Sequence, residues 1–301
     1  MSENGHRRKR LAKSDIVVRV ISLVIVTIFA VSCLLPFVYV FFVSFMPYSE
    51  YIANPLKMIP THFVLTAYKQ MWGYSLVKSG YLVTLFITVV GTLLSIFLLV
   101  ISAYPLSRTK LKGQKVVMTM IIFTMFFSGG MIPNYLLIKD LHLINSLWAM
   151  ILPDCFSAFY LILMRSFIKM SVPEELEEAA KIDGANDIRI LFSIVIPILK
   201  PAIATMVVFC SVGYWNNYFS AMLYEIDRNH WPLSLVLREL LVEDNTSSVS
   251  SATQVLNSIA RTHPFTLKMA AIVITTLPIL IVYPFMQRYF VKGISLGAVK
   301  G

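Results

Sequence analysis

Charged residues are scarce in this chain. Only 14% of its 301 residues are Asp, Glu, Lys or Arg, whereas a soluble domain carries about 25%. Hydrophobic residues make up 57% of the sequence. They are gathered in blocks of about twenty or more, the length that crosses a hydrocarbon core ~30 Å thick. The low charge therefore excludes an ordinary soluble domain and indicates a polytopic membrane protein.

The residue patterns of several enzyme classes are also missing. Cys33, Cys155 and Cys210 fall inside apolar blocks without CxxC spacing, which is typical of cysteines that act as small buried hydrophobic residues. The five histidines are scattered, with no pair at the spacing of helical metal ligands. No G-x-x-x-x-G-K-[ST] loop occurs, so the chain has no such phosphate-binding loop. We therefore predict a protein that is not an enzyme and binds no metal, nucleotide or other cofactor itself.

The apolar residues form six blocks. A β-barrel would alternate polar and apolar residues over short strands, which these blocks do not do, so an all-α fold is expected. The blocks are 20–45, 81–106, 116–138, 147–167, 196–219 and 269–290. The first stays apolar past Cys33, which favours a retained anchor over a cleaved signal. The pair Gly129 and Gly130 is expected to kink the third.

Basic residues indicate the orientation of the spans. With the N-terminus inside, most of the 26 Lys and Arg residues fall on the cytoplasmic side. The positive-inside rule then places both termini in the cytoplasm, as an even number of spans requires. The net charge of +10 therefore needs no nucleic acid. We expect the basic arm, residues 1–15, to lie on anionic lipid of the bilayer.

The connection between the fourth and fifth blocks, residues 169–197, is unusually polar and faces the cytoplasm on this orientation. Ser171 and Glu174 have the spacing of a capping box at a helix start. Gly184 is a natural left-handed cap at the end of that helix. Asn186 is placed to cap a second helix. The pattern predicts two short helices that meet at a glycine.

The second of these helices has an apolar stripe at helical spacing. The stripe consists of Ile188, Leu191, Phe192 and Val195. Pro197 marks a break or first turn where the chain enters the fifth span. Ala179 and Ala180, on the first helix, are small enough for a partner surface to approach closely. The whole connection is therefore expected to form a compact knob.

The spacing within this connection resembles the EAA motif of ABC importer permeases. The residues EAA at 178–180 are followed after three residues by Gly184, and after nine more by IVIP at 194–197. The one departure is Ile196, where the family usually has leucine. The segment VPEELEEAA and the DGA around Gly184 also resemble the carbohydrate-uptake, maltose-permease-like subfamily. The resemblance implies a role in ATPase coupling for Glu175, Glu178, Ala179, Ala180, Asp183, Gly184, Ala185, Ile194 and Pro197.

The resemblance also implies an architecture. The fold would be the six-helix type I ABC importer (MetI-like) permease fold, over residues 16–301. Residues 169–197, here named the EAA loop, would be the cytoplasmic coupling segment that docks in a groove of an ATPase. Residues 220–264 would form an extracytoplasmic loop that contacts the solute-binding protein. A flexible linker is the alternative for 245–251.

Several partners follow from the same resemblance. They are a second homologous permease subunit, two ABC ATPase subunits that use ATP and Mg, and an extracytoplasmic solute-binding protein. The implied location is the bacterial cytoplasmic (inner) membrane, as a multi-pass subunit of a heterodimer. The implied substrate is an oligosaccharide. Uronate-containing sugars are among the candidates, and the sequence leaves the charge of the sugar open.

An aromatic and amide cluster ends the fifth block. Aromatic faces pack against sugar rings and amides bond hydroxyls in both directions, which favours a substrate path. An interfacial aromatic belt is the alternative. The cluster consists of Tyr214, Trp215, Asn216, Asn217 and Tyr218, with Asn134 and Tyr135 as further candidates.

Two other classes remain open at this point. An ion-coupled secondary transporter would work alone, with inverted repeats and paired intramembrane charges. The sequence shows little of either, and Asp154 is a single acid near the end of a block. The third class is a membrane scaffold that transports nothing. Uptake into vesicles with and without partner subunits separates the three.

Overall fold

The computed structural model describes residues 13–108, 112–242 and 264–298. Every regular segment within these ranges is helical, as the sequence predicts. The α-helices are α1 Lys13–Val43, α2 Tyr48–Ala53, α3 Thr66–Gly73, α4 Ser75–Ser107, α5 Gln114–Phe126, α6 Met131–Asp140, α7 Ala158–Ser171, α8 Glu174–Ile182, α9 Asp187–Ile190, α10 Ile196–Ile198, α11 Lys200–Asn216, α12 Phe219–Tyr224, α13 Leu233–Val242 and α14 Pro264–Ala298. Short 3₁₀ turns lie at Leu147–Met150 and Arg228–His230, and a π turn at Leu191–Val195.

Three of the described helices are long and apolar enough to cross a membrane. They are Val17–Val43 within α1, Ser75–Ser107 and Phe265–Pro284 within α14. Two bent pairs add up to two further spans: α5 with α6, bent by 113°, and Asp187–Ile198 with α11, bent by 80°. The described residues thus give three to five candidate spans, and the count of six stays a prediction.

The fourth apolar block, 147–167, is not one continuous helix. It begins with the 3₁₀ turn Leu147–Met150, continues through turns, and becomes helical again only at α7. The 14 residues of α7 rise by about 21 Å, which is less than the ~30 Å hydrocarbon core. Asp154 lies within the interrupting turns. A block counted by composition alone misses this interruption.

The kink expected at the glycine pair is confirmed. Helix α5 ends at Phe126 and α6 begins at Met131, with the two axes at 113°. Gly130 has a φ of 88°, a left-handed value that side chains with a Cβ rarely adopt. The glycine therefore allows the chain to reverse direction within the third apolar block.

Two compact units make up the chain, the first comprising residues 1–69 and 256–273. Within its described part, the segment after α1 is tied by a polar cluster. Glu50 accepts hydrogen bonds from the Thr61 amide at 2.7 Å and pairs with Lys57 at 2.7 Å. These bonds fix the turns between α2 and α3, where regular backbone pairing is sparse.

The second unit comprises residues 70–255 and 274–301, and α4 is its central helix. Helix α4 packs against α7, α11 and α13. One apolar cluster joins α4, α7, α11 and the EAA loop through fully buried residues such as Leu99, Met164 and Val195. A second cluster around Ile87 and Met150 joins α4 to the region of Leu147–Met150. Helix α4 thus connects the EAA loop with the far end of the unit.

Candidate functional site

The first helix of the EAA loop ends as the sequence predicts. Gly184 has a φ of 82°. Its amide donates to the Lys181 carbonyl at 3.0 Å, and the Ala185 amide donates to the Ala180 carbonyl at 2.9 Å. This pair of bonds is a Schellman motif, in which a left-handed residue closes the helix. The predicted glycine stop is confirmed.

The start of that helix differs from the prediction. Ser171 is the last residue of α7, and the residue that precedes α8 is Pro173, which makes no side-chain cap. The capping box of Ser171 with Glu174 is therefore wrong. The reason is that α7 continues to Ser171, and the chain then turns at the buried Val172. Acidic residues in the first turn of α8 still complement its positive end.

The second helix starts where expected. The Asn186 side chain accepts from the Arg189 amide at 2.8 Å, so the predicted N-cap is confirmed. Lys181 and Asp187 pair at 2.7 Å across the two short helices. Both side chains are more than half exposed, and such a pair contributes about 0–1 kcal/mol. Local contacts therefore set the shape of the knob.

The predicted apolar stripe is only half right. Leu191 and Val195 are buried, but Ile188 and Phe192 are exposed. The π turn Leu191–Val195 adds a residue per turn and displaces the buried face. The chain then bends by 80° before α11, so the predicted break near Pro197 is confirmed, with Pro197 itself in α10.

The EAA loop exposes large apolar side chains that the motif does not include. Ile182 is 87% exposed and Ile188 is 69% exposed. Among the residues of the predicted coupling set, Glu175, Glu178, Ala179, Asp183, Gly184 and Pro197 are exposed, while Ala180, Ala185 and Ile194 are partly buried. The loop thus presents a mixed charged and apolar surface around a tight glycine turn.

A cavity of about 500 Å³ lies beside the end of α11. Asn217 donates to Asp154 Oδ2 at 2.8 Å and to Ser220 Oγ at 3.0 Å. The Ser220 amide returns a bond to Asn217 Oδ1 at 3.1 Å. No Lys, Arg or His is among the described residues that line it. The cavity therefore offers acceptor and donor groups for hydroxyls, with one acidic side chain and aromatic walls from Tyr160 and Tyr214.

The two buried aromatics of the predicted cluster use their polar atoms to hold helices together. Tyr214 OH lies 3.1 Å from Ser95 Oγ and donates to the Ile151 carbonyl at 3.2 Å. Trp215 Nε1 donates to the Thr275 carbonyl at 3.2 Å. Tyr214 nonetheless lines the cavity, whereas Trp215 does not. Their first role is packing, as for most buried Tyr and Trp.

The other predicted residues divide between the cavity and the surface. Asn216 and Asn217 line the cavity. Tyr218 stacks under the Arg238 guanidinium, 5.6 Å from its ring centre. Tyr135 stacks on Tyr224, and Asn134 is exposed on α6. The structure thus brings Tyr214, Asn216 and Asn217 together and leaves Trp215, Tyr218, Asn134 and Tyr135 outside the cavity.

Residues 5–296 match a known family, the inner membrane component of binding-protein-dependent transport systems. The chain belongs to this family. Its members are permease subunits of ABC importers, so the predicted family is confirmed, as is the prediction that the chain is not an enzyme. The permease is a membrane component, which agrees with its apolar helices.

Two relatives of the permease come from Bacillus subtilis (strain 168). The polygalacturonan/rhamnogalacturonan transport system permease protein YtcP is 44% identical, over 91% of this chain and 94% of its own length. Protein LplC is 41% identical, over 89% and 90%. A solved structure also matches, described as a bacterial ABC transporter involved in the import of the acidic polysaccharide alginate. It has a TM-score of 0.85 and 32% identity, over 93% of this chain and 99% of that one. The permease therefore has the MetI-like fold.

Sequence reasoning missed one buried ion pair in the permease. Glu177 is buried and pairs with Arg108, which directly follows α4. It is one of four acids in the run EELEE, and no local pattern separates it from its neighbours. Only the position of Arg108, 69 residues away in sequence, makes Glu177 different. The pattern alone therefore gave no signal for this contact.

Proposed function

We propose that this permease forms half of the translocation pore of an oligosaccharide importer and couples to a cytoplasmic ATPase through the EAA loop. Its substrates include uronate-containing oligosaccharides. Six spans place both termini, with the arm 1–15, in the cytoplasm. Residues 1–12 and 243–263 lie outside the described ranges. The roles of the arm and of much of the loop 220–264 are therefore proposed from the sequence.

The observation that carries the proposal is the surface of the EAA loop. Ile182, Ile188 and Phe192 are each more than half exposed on a segment whose other exposed residues are mostly polar. Large apolar side chains exposed on an otherwise polar segment mark a site that another protein covers. The Schellman turn at Gly184 holds them on a rigid element. We assign the ATPase subunit as the protein that covers this surface. It supplies the ATP and Mg chemistry, because this chain has no G-x-x-x-x-G-K-[ST] loop of its own.

The number of partner subunits follows from the presence of one EAA loop in each permease chain. A single EAA loop engages one half of an ATPase dimer, so the complex requires a second permease and two ATPase subunits. The family description names a binding protein as a component of these systems. We assign contact with that protein to the loop 220–264, whose described part contains α13 and the turn Arg228–His230.

The substrate class is supported by the comparisons and by the cavity. The name of one relative refers to polygalacturonan and rhamnogalacturonan, and the description of the solved structure refers to alginate; all of these polymers contain uronate sugars. Asp154, Asn217 and Ser220 supply hydrogen-bonding groups suited to sugar hydroxyls. Since the described lining of this chain lacks a basic side chain, the carboxylates of a uronate sugar are expected to face the second permease subunit.

A matched pair of glycine variants tests the coupling. Gly184→Val and Gly113→Val place the same side chain at nearly the same φ, 82° and 81°, and a Cβ added at either glycine would meet no surrounding atom within 4 Å. The backbone strain is therefore equal, at about 1–2 kcal/mol. In proteoliposomes with both permeases, the ATPase and the binding protein, Gly184→Val should reduce ATP-dependent uptake at least about tenfold. Gly113→Val should stay within about twofold. Equal uptake by the two variants would contradict the coupling role.

The substrate class is tested by competition in the same vesicles. Uptake of a labelled digalacturonate should be inhibited by unlabelled oligogalacturonate and not by neutral maltooligosaccharide. Uptake of a labelled neutral maltooligosaccharide with no uptake of the digalacturonate would overturn the uronate proposal and leave the importer in place. The alternative of an ion-coupled secondary transporter predicts uptake by this chain alone, driven by an ion gradient and abolished by ionophores.

A further inference from the structure

Helix α8 is held to the rest of its unit by an unusual contact. Glu177 is the only buried residue of this helix. Its side chain is 8% exposed and forms an ion pair with Arg108, which is 13% exposed. Among the described residues, no helix packs extensively against α8. A charged group therefore occupies the position where an amphipathic helix normally buries an apolar one.

Both ends of the ion pair have further partners. Tyr104 OH donates to Glu177 Oε2 at 3.3 Å, so both carboxylate oxygens are engaged. Arg108 also donates to the Val172 carbonyl at 3.3 Å, at the turn that leads into α8. Its guanidinium lies 5.7 Å from the centre of the Tyr104 ring. Arg108 thus contacts both the turn before α8 and the buried face of α8.

Such a pair is poorly explained as a source of stability alone. Removing two charges from water is costly, and a buried ion pair is often no more stabilising than apolar residues of the same volume. Its directional bonds do fix one geometry between the two elements, because a shift leaves a buried charge without its partner. The pair therefore suits a contact in which movement of α8 must displace the end of α4.

Helix α4 continues from this joint to the cavity. Arg108 directly follows its last residue, and Gly91 lies 17 positions earlier, about 26 Å along the helix. At Gly91 the helix touches the Tyr214 ring so closely that a Cβ would lie 2.6 Å from it. One turn further, Ser95 bonds Tyr214 OH at 3.1 Å. Tyr214 lines the cavity, so α4 and the residue that follows it contact both sites.

We propose that the Arg108–Glu177 pair is the positioning link through which movement of the EAA loop reaches α4 and, through Gly91 and Ser95, the cavity. This inference rests on the proposed coupling function and names the residues that perform it. Neither residue touches ATP or sugar in this account. Their loss should separate ATP hydrolysis from transport rather than abolish both.

The test is a charge-exchange cycle in the reconstituted complex. The variants are Arg108→Glu, Glu177→Arg and the double exchange, with Glu177→Gln as the conservative change. We measure sugar taken up per ATP hydrolysed, with and without binding protein. Each single exchange should lower this ratio at least about tenfold while ATP hydrolysis continues, and the double exchange should recover at least about threefold. The ratio of sugar taken up to ATP hydrolysed in Glu177→Gln should lie between that of the single exchanges and that of the double exchange.

The matched control is an ion pair outside the EAA loop. Lys57→Ala removes the partner of Glu50, 2.7 Å away in the first unit, and the transport ratio should stay within about twofold of wild type. A wild-type ratio in Arg108→Glu would overturn the proposal. Loss of complex assembly in the single and double exchanges alike would assign the pair to folding and also overturn it.

Failure of this link is distinguishable from failure of the coupling function. If Gly184→Val transports normally, the EAA loop is not the coupling element at all. If Gly184→Val fails while Arg108→Glu keeps the wild-type ratio, the loop couples by another route. Purification of the complex before each assay confirms that every variant contains the ATPase.

Discussion

The EAA loop and the Asp154 cavity are built by contacts of different range. In the EAA loop, the bonds that set the shape join residues three to six apart, such as Asn186 with Arg189. In the cavity, Tyr214 bonds Ser95 across 119 residues and Asn217 bonds Asp154 across 63. The loop can therefore keep its form while it moves, whereas the cavity depends on where whole helices lie.

This difference predicts unequal sensitivity to substitution. A local motif loses about the energy of one cap or one bond when a residue changes. A long-range contact between helices is coupled to the packing of both, so a single change can displace several lining residues at once. The substitutions below test this comparison, from the largest expected effect to the smallest.

Gly91→Val should have the largest effect on stability and uptake, because Gly91 lies where α4 packs against Tyr214 of α11. Even a Cβ at this position would meet the Tyr214 ring at 2.6 Å, and overpacking of this kind costs ~1–3 kcal/mol or more. The purified permease complex should melt several degrees lower and lose most sugar uptake. Differential scanning fluorimetry in detergent and vesicle uptake measure the two effects.

Gly73→Ala is the control for this crossing. Gly73 ends α3, and a Cβ added there would meet no other atom within 4 Å. The melting temperature of this variant should stay within about one degree of wild type. If Gly91→Val were equally harmless, the close approach of α4 to Tyr214 would not be needed for the cavity.

Asn217→Asp should lower uptake by about tenfold, because it places a second carboxylate against Asp154, where Asn217 now donates at 2.8 Å. The double variant Asp154→Asn with Asn217→Asp restores one acid and one amide in exchanged positions. It should recover much of the uptake, since the hydrogen bond can form in the reverse direction. Equal loss in the single and double variants would show that the local bond does not organise the cavity. Initial uptake rates at several sugar concentrations provide the measurement.

Glu225 is an intermediate case, with a short-range partner inside a packed region. Its side chain is fully buried, and Oε2 lies 3.2 Å from His230 Nδ1. Oε1 has no hydrogen-bond partner among the described residues. Burial raises the pKa of Glu225 to about 7, with the nearby Asp227 also raising it and His230 opposing. The folded protein therefore favours the protonated carboxyl.

The sign of the pH effect follows from this raised pKa. The folded form holds the proton more tightly than the unfolded form, in which the pKa of this carboxyl is 4.5. The protonated Glu225 therefore makes its full contribution to the stability of the fold below pH 4.5. It is lost as the pH rises through about 7. Glu225→Gln should flatten the fall in melting temperature between about pH 5 and 8, by a few degrees at most. Asp140→Asn, at the exposed end of α6, is the control and should keep the wild-type slope.

The difference in range also explains what the sequence could predict. The cap at Asn186, the glycine turn at Gly184 and the kink at Gly130 each depend on residues a few positions away, and all three were predicted correctly. Which of the predicted substrate-path residues line the cavity does not follow from the sequence, because the neighbours of Trp215 and Tyr135 lie on distant elements. The interruption near Asp154 was missed for a related reason, since composition measures apolarity and not helix continuity.

Asn186→Ala should have the smallest effect and completes the comparison. The Asn186 side chain accepts from the Arg189 amide at 2.8 Å, and loss of such a cap costs ~1 kcal/mol. Hydrogen exchange at the Arg189 amide should therefore become about fivefold faster, while uptake changes by less than about twofold. Asn186→Asp keeps an acceptor at this position and should leave the exchange rate near that of wild type. A global loss of stability in Asn186→Ala would mean that the EAA loop is not a locally determined element, because a local cap can open without disturbing the helices around it.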